Sequence, residues 1–195
     1  DEDKSTRARA NILREFLTRS PEKEPFDHEE IYKVMDLCLS CKACKSECPS
    51  NVDVAKLKAE FLQRYYDIHH VPFRAWLIGW LPRLYAPGMV LRPVTNLVTG
   101  TELFKRLIGF SVLRPIPALS PVTLRTWQRR HGRMNGKVKG SVSLFADEFT
   151  NYNESDIGIK AVMLLESLGY EVVIPRHRES GRTFLSKGLL RSARK

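Results

Sequence analysis

Four thiols lie within eleven residues: Cys38, Cys41, Cys44 and Cys48, spaced Cys-x2-Cys-x2-Cys-x3-Cys and followed by Pro49. They are all the cysteines of the 195-residue chain. Thiolates bind soft metals and the irons of iron–sulfur clusters. A cubane cluster has four iron corners, each taking one thiolate. Three cysteines at intervals of three can curl round one cube on a tight loop, while a fourth followed by proline is directed away. Zinc wants two pairs separated by a longer insert, and four thiols closing in Cys-Pro fit that poorly. Disulfides belong to exported chains. Asp1-Glu2-Asp3-Lys4 has neither the basic start nor the apolar core of an export signal.

The run matches the bacterial ferredoxin pattern in every interval, and in two-cluster proteins its fourth cysteine ligates the other cluster. Two clusters need about eight thiolates, and this chain supplies four. On that rule Cys38, Cys41 and Cys44 hold three corners of one cluster, Cys48 holds one corner of another, and the remaining ligands lie outside the chain. The alternative places all four on one cluster and requires Cys48 to bend back against Pro49.

These residues need elements to position them. Residues 5–19 have a helical pattern with Ile12, Leu13, Phe16 and Leu17 on one face. Ser20-Pro21 ends it, and a charged linker runs to about Asp27. A short helix from His28 to Leu37, with Ile31, Val34 and Met35 inward, delivers the chain into the cysteine loop. After the loop, Ser50 and Asp53 have capping-box-like spacing. A helix to about Tyr66 should bury Val54, Leu57, Phe61, Leu62 and Tyr65. Residues 71–131 hold Pro72, Pro82, Pro87, Pro93, Pro115, Pro117 and Pro121, which predicts short, broken helices. Gly132 to Gly140 is a basic connector. Ser141–Phe145 and Tyr170–Ile174 are predicted strands around a helix from Ser155 to Leu168 with Ile157, Ala161, Leu164, Leu165 and Leu168 inward and Gly169 as its stop. A second helix starts at Thr183. A strand–helix–strand unit implies parallel strands, and two strands are too few for an independent sheet. The predicted fold is mostly α: a helical ferredoxin-like cluster domain, broken helices, then an incomplete α/β (βαβα) unit. The predicted division is 1–27 (helix and linker), 28–70 (cluster domain), 71–140 (basic helical region) and 141–195 (α/β start).

Leu37-Cys38-Leu39-Ser40-Cys41-Lys42-Ala43-Cys44-Lys45-Ser46-Glu47-Cys48-Pro49-Ser50-Asn51-Val52-Asp53 resembles the second cluster motif of large FAD-linked dehydrogenases. These are D-lactate, glycolate or D-2-hydroxyglutarate dehydrogenases fused to an iron–sulfur module. The module also occurs as separate subunits of glycolate oxidase and anaerobic glycerol-3-phosphate dehydrogenase. In that family a first cysteine motif precedes a basic helix like Ser5-Thr6-Arg7-Ala8-Arg9-Ala10, so the resemblance places that motif, and the FAD-binding region, outside this chain. Leu144-Phe145, Leu165–Val172 and Gly181–Gly188 are similar to the heterodisulfide-reductase-B-like cysteine-rich domain. That domain carries a cysteine after its first strand and a Cys-Cys-Gly later. Here Asp147 and Glu179-Ser180-Gly181 stand at those places, so the resemblance implies no thiolate site there.

The net charge of +10 is concentrated: residues 61–146 hold 13 lysines and arginines against Asp67 and Glu102. Phe73, Trp76, Trp80, Tyr85 and Trp127 interleave with them. No recognised nucleic-acid-binding motif accompanies these charges. The mixture suits a membrane surface or the absent parts of the same protein. The longest apolar run, Ala75 to Leu81, is far short of the ~20 residues that span a bilayer. Weaker candidates are Gly181-Arg182 as an anion site, against a plain tight turn, and His69-His70 as a metal or proton site, against surface histidines at a helix end. Asp147 and Glu179 could also meet at the strand ends.

The resulting expectation is an electron-transfer segment of an FAD-linked 2-hydroxy-acid oxidoreductase. Its 4Fe-4S clusters pass electrons from flavin toward a quinone or other acceptor, with Lys42 and Lys45 raising the potential. The segment by itself is expected to be catalytically silent. It is expected in the cytoplasm, with peripheral association at the inner face of the membrane, and with the FAD-binding domain and first cluster motif as partners. The rival from another class is a non-redox interaction module with a structural metal.

Overall fold

The structure is a computed structural model that describes residues 5–19, 26–132 and 138–194. The Ser20-Pro21 stop, nearly all of the linker, the middle of the basic connector and the Leu17 side chain lie outside the described residues. The fold is mostly helical with a two-stranded parallel sheet. Contacts divide it into two compact units, residues 1–80 with 181–195, and residues 81–180.

The first unit begins with α1 (Thr6–Arg19), α2 (Glu29–Asp36), α3 (Ala43–Glu47) and α4 (Val54–Ile68). Ser5 Oγ accepts from the Ala8 N–H at 3.1 Å, the N-cap bond that starts α1. At α4 the cap is Asp53 itself, whose carboxylate accepts from the Lys56 N–H at 2.9 Å. The anticipated box anchored at Ser50 does not form, because Asp53 already satisfies the orphan N–H. Leu13, Ile31, Met35, Phe61, Leu62 and Tyr66 form the core, with Ile12 and Phe16 packed against it. On α4 the buried face carries Val54, Ala55, Lys58, Ala59, Phe61, Leu62 and Tyr66. Leu57 is exposed, and Tyr65 is half-buried, stacked on Tyr32 at 4.9 Å and on His69 at 4.3 Å. The face is therefore rotated slightly from the expected one, which lets the two amphipathic tyrosines keep their rings packed at the rim.

The same core takes in Phe184 and Leu189 from α11 (Arg182–Ser186) and the turn before α12 (Leu190–Ala193). Gly188 has φ +72°, and a Cβ there would overlap Leu62. Only glycine meets both demands at low cost. Arg191 closes the contact, its guanidinium 2.8 Å from Asp67 and its N–H 3.1 Å from Gln63 Oε1.

α5 (Phe73–Val90) is one helix with Pro82 and Pro87 inside it, where broken helices were expected. Each proline forfeits one intrahelical bond. The burial of Ala75 and Tyr85 along the helix, Tyr85 against Phe149 and Tyr152, holds it together. α6 (Arg92–Gly100) takes Pro93 in its first turn, and α7 (Glu102–Leu107) is capped by Thr101. The prolines coincide with breaks at Pro72, between α4 and α5, and in the irregular stretch 109–122, which holds Pro115, Pro117 and Pro121.

The second unit centres on α8 (Leu124–His131), β1 (Gly140–Ser143), α9 (Glu148–Tyr152), α10 (Ser155–Ser167) and β2 (Tyr170–Val173). β1 pairs in parallel with β2, Gly140 opposite Tyr170 and Ser143 opposite Val173. Gly169, at φ +89°, ends α10 as expected. α9, capped by Asp147, was not anticipated. The core is small: Leu124, Ala146, Val162 and Val172. α10 turns Gly158 and Val162 inward, and a Cβ at 158 would overlap the end of the Leu124 side chain. Ile157, Leu164 and Leu168 are exposed, contrary to expectation. The helix is apolar on two sides, and two strands with α8 are wide enough to cover only one.

Candidate functional site

The cysteine loop runs between α2 and α4 and is tightly curled. Ser40, Lys42 and Asn51 have φ of 56°, 64° and 55°, left-handed conformations that cost non-glycine residues on the order of 1–3 kcal/mol each. Such a backbone persists only when its surroundings enforce it. Here α3 starts on Lys42, and the Lys42 ammonium is 3.9 Å from Asp53.

All four cysteines are free thiols. Cys38, Cys41 and Cys44 line one cavity of about 230 Å³, together with Thr6 and Arg9 of α1 and Val54 and Ala55 of α4. Cys48 lies on a second cavity of about 470 Å³, shared with Cys44 and walled by Arg7, Ala10 and Asn11 of α1. The thiols line these walls without converging: among the described residues no three His, Cys, Asp or Glu side chains form a group that would grip a single ion.

The polar groups around the loop suit an anionic sulfur-rich guest. The N–H groups of Val52, Ser50 and Asn51 turn back onto Cys48 and hold its thiol below its ordinary pKa, which favours the thiolate that metals take. Ser40 Oγ is buried and makes no hydrogen bond among the described residues, leaving an O–H donor inside the loop. Arg9 and Lys42 add positive charge to the three-cysteine cavity. Behind it, the Lys58 ammonium donates to the Cys38 carbonyl at 2.6 Å. Burial lowers the Lys58 pKa, and an ionised Cys38 thiolate would oppose that fall. A buried lysine reaching a loop carbonyl is the feature that sequence reading missed. Its signal was there: position 58 falls on the apolar face of α4, one turn after Val54.

The other candidates separate. His69 Nε2 is 2.7 Å from Asp27 Oδ1 and its ring stacks on Tyr65, the arrangement of a helix-end histidine. Asp147 accepts from the Thr150 N–H at 2.7 Å as a cap, while Glu179 faces Arg83 at 3.5 Å. In these contacts the two carboxylates have different partners. Glu148, buried, accepts from the Ser180 hydroxyl at 2.6 Å and from its N–H at 3.2 Å. Gly181, at φ +70°, opens a helix of five residues, which is the tight-turn reading.

A 4Fe-4S dicluster domain matches residues 1–53. D-2-hydroxyglutarate dehydrogenase of Escherichia coli K12 is 30% identical over 178 residues, 85% of this chain and 17% of that protein. The enzyme of the same name from Pantoea ananatis is 29% identical over 95% of the chain and 19% of its own length. One of the subunits of anaerobic glycerol-3-phosphate dehydrogenase from Escherichia coli K12 is 23% identical over 75% of the chain and 38% of its own length. The chain thus spans less than a fifth of the length of these two D-2-hydroxyglutarate dehydrogenases. No solved structure matches. The dicluster match, relatives that are all dehydrogenases or parts of one, and the mostly helical fold agree: the chain is an electron-transfer iron–sulfur module of the kind carried by FAD-linked dehydrogenases.

Proposed function

We propose that Cys38, Cys41 and Cys44 hold one 4Fe-4S cluster and that Cys48 reaches a neighbouring one, in a protein that oxidises a 2-hydroxy acid at FAD. A bound cluster supplies a one-electron carrier, so the two electrons of the flavin leave singly toward a quinone or other acceptor. The observation that carries this reading is the partition of the thiols. Cys38, Cys41 and Cys44 share the smaller cavity, from which Cys48 is absent, and Cys48 stands on the other beside Cys44, against α1. The chain's own residues orient the thiolates, with the N–H groups after Pro49 directed at Cys48 and the positive side chains of Arg9 and Lys42 beside the other three. The remaining thiolates come from a first motif preceding α1 in this reading.

The test is Cys41→Ser in the full-length protein. Substrate should still bleach the flavin, while reduction of the acceptor is lost and the brown absorbance falls. A variant whose flavin stays oxidised with substrate would refute this division of labour. A colourless, zinc-containing wild-type protein would establish the structural-metal rival.

In this reading the acceptor is met at a membrane surface. Support comes from the stretch between Val90 and Arg114. Val90, Leu91, Leu97, Leu103, Leu107 and Leu113 are 64–90% exposed, and Arg92, Arg106 and Arg114 accompany a single acid, Glu102. Apolar side chains beside cations suit an anionic lipid interface. Among the described residues no helix is long and apolar enough to cross a membrane. Full-length protein should co-sediment with anionic vesicles and lose that on Leu103→Asp with Leu107→Asp. Unchanged sedimentation of the double variant would remove this surface from the proposal.

A further inference from the structure

Lys58 is 2% exposed, an unusual place for an ammonium. It sits on the same face of α4 as Val54 and Ala55, which line the three-cysteine cavity, one helical turn deeper. Its Nζ donates to the Cys38 carbonyl at 2.6 Å, just beyond the end of α2. Arg9 of α1 makes a parallel contact, its Nε donating to the Val34 carbonyl at 3.3 Å. The last carbonyls of α2 and the first of the loop are therefore held by a cation on either side. Cations are favoured at a helix C-terminus, and that alone would account for Arg9 at the partly exposed rim. It does not account for a buried Lys58. Burial of a lysine carries a desolvation cost that a neutral donor to the same carbonyl would avoid.

We propose that Lys58 is a positioning residue with a second role: it anchors the loop through Cys38, and its buried charge raises the reduction potential of a cluster held by Cys38, Cys41 and Cys44. This rests on the ligand assignment proposed above. A reduced cluster carries one more negative charge than an oxidised one, so a fixed cation nearby stabilises the reduced form, and the effect is large where water does not screen it. Lys45, on the exposed turn of α3, presents the same charge to solvent and is screened by salt.

The experiment uses the full-length protein with its clusters loaded, iron and sulfide being counted in every variant. Midpoint potentials are read by EPR-monitored redox titration for wild type, Lys58→Met, Lys58→Gln and Lys45→Met, each at low and high salt. Both neutral Lys58 variants should disfavour reduction by about tenfold, about 59 mV for one electron, and the shift should survive high salt. Lys45→Met should move less and lose its shift in salt. Gln keeps a donor and Met does not, so a shift confined to Met would overturn the charge role and leave only the anchor. Potentials equal to wild type in both loaded variants would overturn the proposal while leaving the ligand assignment standing. Failure of the wild type itself to load iron would instead strike that assignment. Should both Lys58 variants lack clusters, alkylation of the apo proteins decides. Faster modification of Cys38 relative to Cys41 in Lys58→Met supports the anchor, and unchanged rates overturn it.

Discussion

The two units solve the burial problem differently. Among the described residues the cysteine unit gathers nine buried side chains, several of them aromatic, from α1, α2, α4, α5, α11 and the turn before α12. Its α4 is amphipathic in the ordinary sense, buried on one face and polar on the other. Among the described residues the core cluster of the α/β unit has four buried side chains, with Tyr85, Ile108 and Leu119 buried elsewhere in the unit, while α10 leaves Ile157, Met163, Leu164 and Leu168 half or more exposed. A helix apolar on two sides belongs inside a layered sheet architecture, with strands on one side and further structure on the other. The lesson is that the cluster-bearing unit holds its shape through its own core, whereas the other presents surface suited to a larger body. The length of the curated relatives agrees with this.

That contrast can be attacked by substitution. The largest effect should come from Phe61→Ala, which empties the centre of the first core and costs about 3–5 kcal/mol. Urea unfolding followed by Trp76 and Trp80 fluorescence measures it, with iron counting as a second readout. Leu124→Ala in the smaller core costs about 2–5 kcal/mol. Because that core has fewer members, Trp127 should report unfolding at lower urea than the other tryptophans. A single coincident transition in the variant would break the comparison. Asp53→Ala removes the α4 cap and should cost about 1 kcal/mol. It also frees Lys42, so Cys41 should alkylate faster in the apo chain. The smallest effect belongs to Leu164→Lys, expected within about 0.5 kcal/mol in the isolated chain. In the full-length protein the same change should be plainly destabilising, and equality in the two settings would argue that nothing covers α10.

Much of this was legible in the sequence, for physical reasons that differ by region. The cysteine spacing is local chemistry that can be read without any tertiary information, and the four residues lie between α2 and α4. α1, α2, α4, the two strands and their parallel pairing followed from periodicity and from Gly169. Among the features that did not, besides α9 and the Asp53 cap, are three. α5 runs through Pro82 and Pro87, since propensity is a weak prior that packing of Ala75 and Tyr85 overrides. The α10 face was misjudged because a helix with apolar residues on two sides has no single moment to read. Lys58 was passed over because a lysine is taken for a solvated residue unless its position on the buried face is given more weight than its charge.

The segment 181–195 carries a consequence for how the molecule is made. Phe184 and Leu189 complete the core around Phe61 and Leu62, and Thr183 Oγ1 donates to the Gly79 carbonyl at 3.0 Å. In chain order the α/β unit is therefore an insertion within the cysteine unit. Synthesis proceeds from the N-terminus, at about 5–20 residues per second. The cysteine loop leaves the ribosome well over a hundred residues before the side chains that finish its scaffold. Cluster delivery to a loop held in its final shape must wait for that closure. A shortened protein meant to carry the cysteines alone has to join residues 5–80 to 181–194 and cannot simply be cut after α4.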